Sequence, residues 1–265
     1  MNYIGIRGHR GSGKSSIAYL LGCTINYIEL SKSQEDFHEQ YLTWCRDAYD
    51  KPKYAPDLEW VIFESFGGIP KMFVSMLTGI PYDDLNDPEI KDNTCINIRD
   101  FSKSLLSEIK EGERILTAEE LFDIYKDDIT LSPKQIKDDV YITVRDFVIF
   151  FGIYVMQNAF GRNVWIKSMI VNNKYFEGLF PDDERCYKIY TDVKTPSEIS
   201  YIQNKGGVIV KISRPNHKKN GGMDLLQNNS IADYKIYTEG KLEDLETPIY
   251  ELAQTIINKF RDETI

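Results

Sequence analysis

Hydrophobic positions along the chain fall into short blocks separated by polar or glycine-containing turns. The first block, Tyr3-Ile4-Gly5-Ile6, is followed by the amphipathic run Ser16-Ile17-Ala18-Tyr19-Leu20-Leu21, a pattern that predicts a strand, a tight turn and a helix. Asn26-Tyr27-Ile28-Glu29-Leu30 reads as another short strand. Over residues 34–50, Phe37, Tyr41 and Trp44-Cys45 recur at helical spacing, which predicts a helix with a core-facing aromatic stripe, broken by Lys51-Pro52-Lys53-Tyr54-Ala55-Pro56. Trp60-Val61-Ile62-Phe63 is continuously apolar, as a buried parallel strand would be. After the turn at Gly67-Gly68, Pro70 suits the first turn of a helix that runs through Leu77 and stops at Gly79.

Residues 82–139 turn acidic and polar. Asp83-Asp84, Glu119-Glu120, Asp127-Asp128 and Asp138-Asp139 are scattered over helix-like and turn-like segments and read as a solvated face. Helices are expected at 102–110 and 118–125, the second capped by Thr117 with Glu120. Residues 140–170 read as helix in two pieces interrupted by Gly152. Residues 186–192 and 207–213 read as strands around a helix at 196–203 that Gly206 stops, the order of a right-handed parallel unit. Asp192 would then lie at a carboxyl strand end, on the rim where open α/β sheets bind ligands. A strand at 234–237 and a helix at 248–260 close the chain.

Composition narrows the partners. With 42% hydrophobic and 28% charged residues in 265, the chain is globular, and a net charge of −9 suits a small anionic ligand better than nucleic acid or an acidic membrane. Cys23, Cys45, Cys95 and Cys186 lack the spacing of a zinc knuckle or disulfide scaffold, so reduced thiols in a cytoplasmic protein are expected. No run approaches the roughly eighteen apolar residues of a membrane span, and no signal peptide precedes the first strand.

The turn after the first strand carries the chemistry. Gly8-His9-Arg10-Gly11-Ser12-Gly13-Lys14-Ser15-Ser16 fits G-x-x-x-x-G-K-[ST] position for position. Such a loop turns successive N–H groups around a phosphate at the positive end of a helix, with Lys14 reaching the β- and γ-phosphates and the Ser15 hydroxyl placed for Mg²⁺. Lys71, near the start of its helix, marks a second candidate anion site, and Arg145, Arg162 and Lys167 are candidate phosphate-holding cations in an acidic chain. For Lys71 the alternative is a surface lysine beside an ordinary turn, and for the other three a solvated helix face.

Four separated pieces together resemble the bacteriophage-type deoxynucleoside monophosphate kinases, a branch of the P-loop kinases. They are the phosphate loop, the run from Phe63 to Asp84, the segment Arg145 through Gly152, Asn158, Phe160, Arg162, Trp165 and Lys167, and Asp192-Val193-Lys194 with Glu198 and the Gly206 to Pro215 strand. The stretch from Asp233 to Leu245 is similar to the family's last strand and helix start. The resemblance implies an α/β, P-loop NTPase-type parallel sheet flanked by helices, with helical insertions and a lid, in one domain over 1–265. Residues 31–56 and 86–139 stand outside it as a helical and an acidic, mostly helical insertion.

What the resemblance implies is transfer of the ATP γ-phosphoryl to the 5′-phosphate of a deoxynucleoside monophosphate. Gly8, Arg10, Gly11, Ser12, Gly13, Lys14, Ser15 and Ser16 would hold ATP. Lys71, Arg145, Trp165, Asp192, Lys194 and Glu198 would surround the acceptor; Lys14, Arg145 and Arg162 would cancel charge; Ser15 and Asp192 would hold Mg²⁺. The chain departs from the family pattern at Ile149, Ile153 and Lys194, where the family has glutamine, threonine and arginine. Those departures keep two other readings open, a nucleotide sensor or interaction protein on a degenerate kinase core and a kinase for another small acceptor. The resemblance leaves the accepted base open and allows a homodimer.

Overall fold

The computed structural model describes residues 1–9, 11–49, 58–97, 134–136, 139–161, 163–177, 186–214 and 231–262. The helices expected at 102–110 and 118–125, their Thr117 and Glu120 cap, and the 51–56 break lie outside the described residues. The chain divides into two compact units, Met1–Phe66 with Ile170–Ile265, and Gly67–Met169.

The first unit is built on a five-stranded parallel sheet of β1 (Asn2–Gly8), β2 (Val61–Glu64), β6 (Tyr187–Tyr190), β7 (Val208–Ser213) and β8 (Tyr234–Tyr237), in the order β2-β6-β1-β7-β8. β1 is central because its apolar run can be covered on both faces, and Ile4 and Ile6 are fully buried. Among the described residues β2 pairs only with β6, and of its own residues only Val61 is buried, less than its unbroken apolar run predicts. One face of the sheet packs against α1 (Lys14–Glu29), α2 (Phe37–Tyr49) and α9 (Glu246–Asp262) in a single hydrophobic core. The aromatic stripe of α2 lies in that core, with Phe37 against Tyr250 at 4.6 Å and Trp44 edge-on to Tyr27 at 5.9 Å.

The strand expected at 26–30 is instead the last turn of α1. A helix enclosed on nearly all sides loses the polar face that marks helical periodicity. Even Glu29 is buried there, its carboxylate accepting from Tyr187 Oη at 2.6 Å and from Arg261 Nη2 at 2.8 Å. On the other face lies α8 (Pro196–Asn204), ended by Gly206 at φ 73° as the sequence predicts. Its start carries a reciprocal cap: the Thr195 side chain accepts from Glu198 N, and Glu198 Oε2 accepts from Thr195 N at 2.9 Å.

The second unit opens with α3 (Gly68–Thr78), which stops at Gly79 with φ 72°. α4 (Pro88–Asn93) leads into an antiparallel sheet of β3 (Cys95–Asn97), β4 (Lys134–Ile136) and β5 (Asp139–Thr143), ordered β3-β5-β4. Helix therefore does not begin at Val140: in the strand-forming run Val140-Tyr141-Ile142-Thr143, Tyr141 to Thr143 pair with Cys95–Asn97 and Val140 pairs with Gln135 of β4. The helical run comprises α5 (Val144–Ile149), a π-helical segment (Phe150–Val155) and α6 (Met156–Phe160), and α7 (Val164–Glu177) follows. The expected interruption at Gly152 is a widened turn inside this run, and the break falls at Gly161, φ 89°. Val74, Leu85, Ile96, Ile142, Val144, Phe147 and Phe150 form this unit's own core.

Among the described residues no disulfide joins the cysteines, no helix is long and apolar enough to cross a membrane, and no three His, Cys, Asp or Glu side chains gather as metal ligands would. Cys23, Cys45 and Cys186 are buried; Cys95 is exposed.

Candidate active site

The loop from His9 to Gly13 joins the carboxyl end of β1 to the start of α1. Its shape depends on two glycines. Gly13 is the residue before the helix and sits at φ 85°, left-handed backbone that a side chain would strain. Gly8 lies so close to β7 that a Cβ would come within 2.6 Å of the Ile212 carbonyl oxygen and 2.7 Å of Ser12 Oγ. Ser12 N donates to His9 O at 3.1 Å and Ile17 N to Gly13 O at 2.9 Å, closing the turn onto the first turn of the helix. Lys14 Nζ donates to Gly8 O at 2.9 Å and His9 O at 2.7 Å, so the ammonium is held against the loop's own backbone. Ser15 is exposed on the first turn of α1, and Ser12 is buried with its backbone oxygen accepting from Thr238 Oγ1 at 3.4 Å. Gly11, at φ 74°, and Ser16 complete the described loop; Arg10 lies outside the described residues.

Asp192 stands on the same edge of the same sheet. It follows β6, and Val193 N donates to Ile6 O of β1 at 2.9 Å, which ties this turn to the strand that leads into the loop. Asp192 Oδ1 accepts from Ser65 Oγ at 2.7 Å and Oδ2 from Lys194 Nζ at 3.1 Å. Lys194 N and Thr195 N both donate to Glu198 Oε2, at 2.6 Å and 2.9 Å. Burial raises the Glu198 carboxyl pKa, with Asp192 adding to the rise and the backbone N–H bonds and Lys194 opposing it. On β6 itself, Lys188 is 1% exposed and its Nζ lies 3.0 Å from Glu64 Oε2.

In the second unit, Lys71 Nζ donates to Asn86 Oδ1 at 3.0 Å. Arg145, on the first turn of α5, donates from Nε to Asp92 Oδ1 and from Nη2 to Asp92 Oδ2, the latter at 3.1 Å. Trp165 is buried, and its Nε1 donates at 2.7 Å to Gly152 O, a carbonyl within the widened π turn. Lys167 is exposed, and Arg162 lies outside the described residues.

The sequence pattern had marked none of Ser65, Asn86 or Asp92, the residues that hold Asp192, Lys71 and Arg145. Ser65 has a usable signal, since it directly follows β2 on the carboxyl rim of a parallel sheet. Asn86 and Asp92 have none, because each meets its cation only through tertiary contact.

Comparison with known families gives one finding: a family model described as deoxynucleotide monophosphate kinase matches residues 4–249. No curated relative matches the chain.

Proposed function

The chain belongs to the deoxynucleotide monophosphate kinase family, phosphotransferases that phosphorylate deoxynucleoside monophosphates, and from that premise we propose how its residues divide the work. The loop of Gly8, Arg10, Gly11, Ser12, Gly13, Lys14, Ser15 and Ser16 holds the phosphates of ATP. Lys71, Arg145, Trp165, Asp192, Lys194 and Glu198 take the acceptor nucleotide. The observation that carries this is the loop itself: a left-handed glycine opens a helix at the carboxyl edge of a parallel sheet, with a lysine ammonium held against the turn.

An oxygen of the acceptor's phosphate attacks the γ-phosphorus as the bond to the β-phosphate oxygen breaks, leaving ADP. That oxygen is already anionic near neutral pH, so the protein needs no strong base; it has to align the two phosphates and spread the charge of the transferring group. Lys14, Arg145 and Arg162 carry that charge. Asp192 is paired with Lys194 and pointed by Ser65. Trp165, fixed through its indole nitrogen, offers the base a ring of set orientation, and Glu198 keeps its second oxygen for the sugar.

A magnesium ion suits the donors present, because the exposed Ser15 hydroxyl and the Asp192 carboxylate are hard oxygen ligands at the same sheet edge. When bound it would supply positive charge to the donor phosphates.

A coupled assay with each deoxynucleoside monophosphate tests this reading. Transfer to at least one, with calorimetry detecting binding of both ATP and that monophosphate, is the expected result. Binding of a single nucleotide with no transfer to any acceptor would make the chain a sensor instead, the reading that the departures at Ile149, Ile153 and Lys194 favour.

A further inference from the structure

Arg145 and Asp92 are 53 positions apart, yet the backbone brings them together before either side chain is considered. Cys95 of β3 pairs with Thr143 of β5, and Val144 N donates to Thr94 O at 2.9 Å, so the last turn of α4 and the first turn of α5 leave the same sheet edge side by side. Each helix opens on a cap of its own: before α4, Asp87 accepts from Glu89 N at 2.7 Å, and before α5, at that sheet edge, Thr143 accepts from Asp146 N at 3.1 Å. Ile96, Ile142, Val144 and Phe147 are packed beneath them. The pairing thus follows from strand register and does not depend on two long side chains finding each other in solvent.

Its geometry is side-on. Arg145 uses Nε and Nη2 on the two oxygens of Asp92, and among the described residues Nη1 has no partner. A guanidinium has five N–H donors in one plane, so a side-on pair leaves the Nη1/Nη2 edge, the fork that matches two oxygens of a phosphate. With side-chain exposures of 24% for Arg145 and 42% for Asp92, the pair contributes little to stability. What it provides is orientation of a side chain that otherwise has several rotamers of similar energy.

We infer that Asp92, from the acidic stretch 86–139, is a positioning residue for Arg145: it holds the guanidinium by one edge so that the opposite edge meets the acceptor's phosphate. The inference rests on the reading that Arg145 binds that phosphate. It assigns a part of the acidic segment to the reaction and makes the acceptor's affinity depend on a carboxylate that does not touch it.

Steady-state kinetics with the acceptor varied at saturating ATP decide the matter, using wild type, Asp92→Asn, Asp92→Glu, Arg145→Ala and the double variant Arg145→Ala/Asp92→Asn. Asp92→Asn is expected to lower kcat/KM for the acceptor on the order of fivefold, mostly through a raised acceptor KM, with the KM for ATP little changed, because the arginine loses alignment and keeps its charge. Asp92→Glu should recover most of the loss, and in the Arg145→Ala background Asp92→Asn should add nothing. Asp92→Ser, followed by circular dichroism, repeats the measurement should the asparagine variant fold poorly. An acceptor KM that is unchanged or lowered in both Asp92→Asn and Asp92→Ser, with Arg145→Ala still raising it, overturns the inference and leaves the reading of Arg145 intact. If Arg145→Ala itself leaves the acceptor KM at the wild-type value, the reading beneath the inference falls.

Discussion

At the carboxyl edge of the parallel sheet, Lys14, Asp192 and Glu198 are each fixed by backbone groups or by residues within a short step of a buried strand. Around the antiparallel sheet, Lys71, Arg145 and Trp165 are each held through a side-chain bond, to Asn86, Asp92 and Gly152 O. The loop's shape follows from two glycines and from register with β7, which few substitutions can imitate. The cations of the second unit depend on partners that single substitutions could exchange. Under the proposed division of work the difference has a chemical sense: a triphosphate tail is the same in every donor and suits an invariant backbone cradle, whereas an acceptor nucleotide varies in base and calls for side chains that can be retuned.

The sharpest way to break this contrast is Lys14→Ala. If the Lys14 ammonium meets the transferring group as proposed, removing it should lower kcat about 10²- to 10³-fold with the fold intact by circular dichroism. A variant that keeps its rate within a factor of about ten would mean that the loop is not where the donor reacts. Next in size is Lys188→Met, which strips the partner from Glu64 beneath the sheet edge. Its expected cost is about 2–3 kcal/mol in urea unfolding, under the range for a wholly enclosed pair because Glu64 remains partly hydrated. Stability equal to wild type would show that the pair is dispensable to the first unit.

Trp165→Phe probes the other side of the comparison. It leaves the Gly152 carbonyl without its indole donor, for about 1 kcal/mol, and should speed amide exchange across residues 150–160 without changing the parallel strands. Equal acceleration in both units would contradict the independence of the two means of support. The smallest effect concerns Glu198, whose pKa burial holds above its ordinary 4.5. A carboxyl with a raised folded-state pKa stabilises the fold when protonated, and that contribution is lost as pH rises through the folded value. Glu198→Gln keeps an acceptor for the cap but cannot titrate, so wild type should gain melting temperature relative to the variant between about pH 7 and about pH 5. Parallel melting curves across that window would show that Glu198 is not perturbed in this way.

Much of the first unit is decided locally. The loop from Gly8 to Ser16, the strands at 61–64, 187–190 and 208–213, and the helix between Pro196 and Gly206 are encoded by glycines, caps and runs of apolar residues that act within a few positions. These signals specify backbone conformation, so they can be read in order along the chain, and with them the parallel sheet and the glycine-rich loop on its rim. Tertiary structure settled what those signals could not. It kept residues 26–29 helical by enclosing them, made Asp139–Thr143 a strand by pairing it with Cys95–Asn97 and Lys134–Ile136, and moved the helix break from Gly152 to Gly161. It also chose Ser65, Asn86 and Asp92 as the partners of Asp192, Lys71 and Arg145. The physical reason is the same each time: burial and hydrogen bonding depend on which distant segment arrives alongside, and a residue's neighbours in sequence carry no record of that.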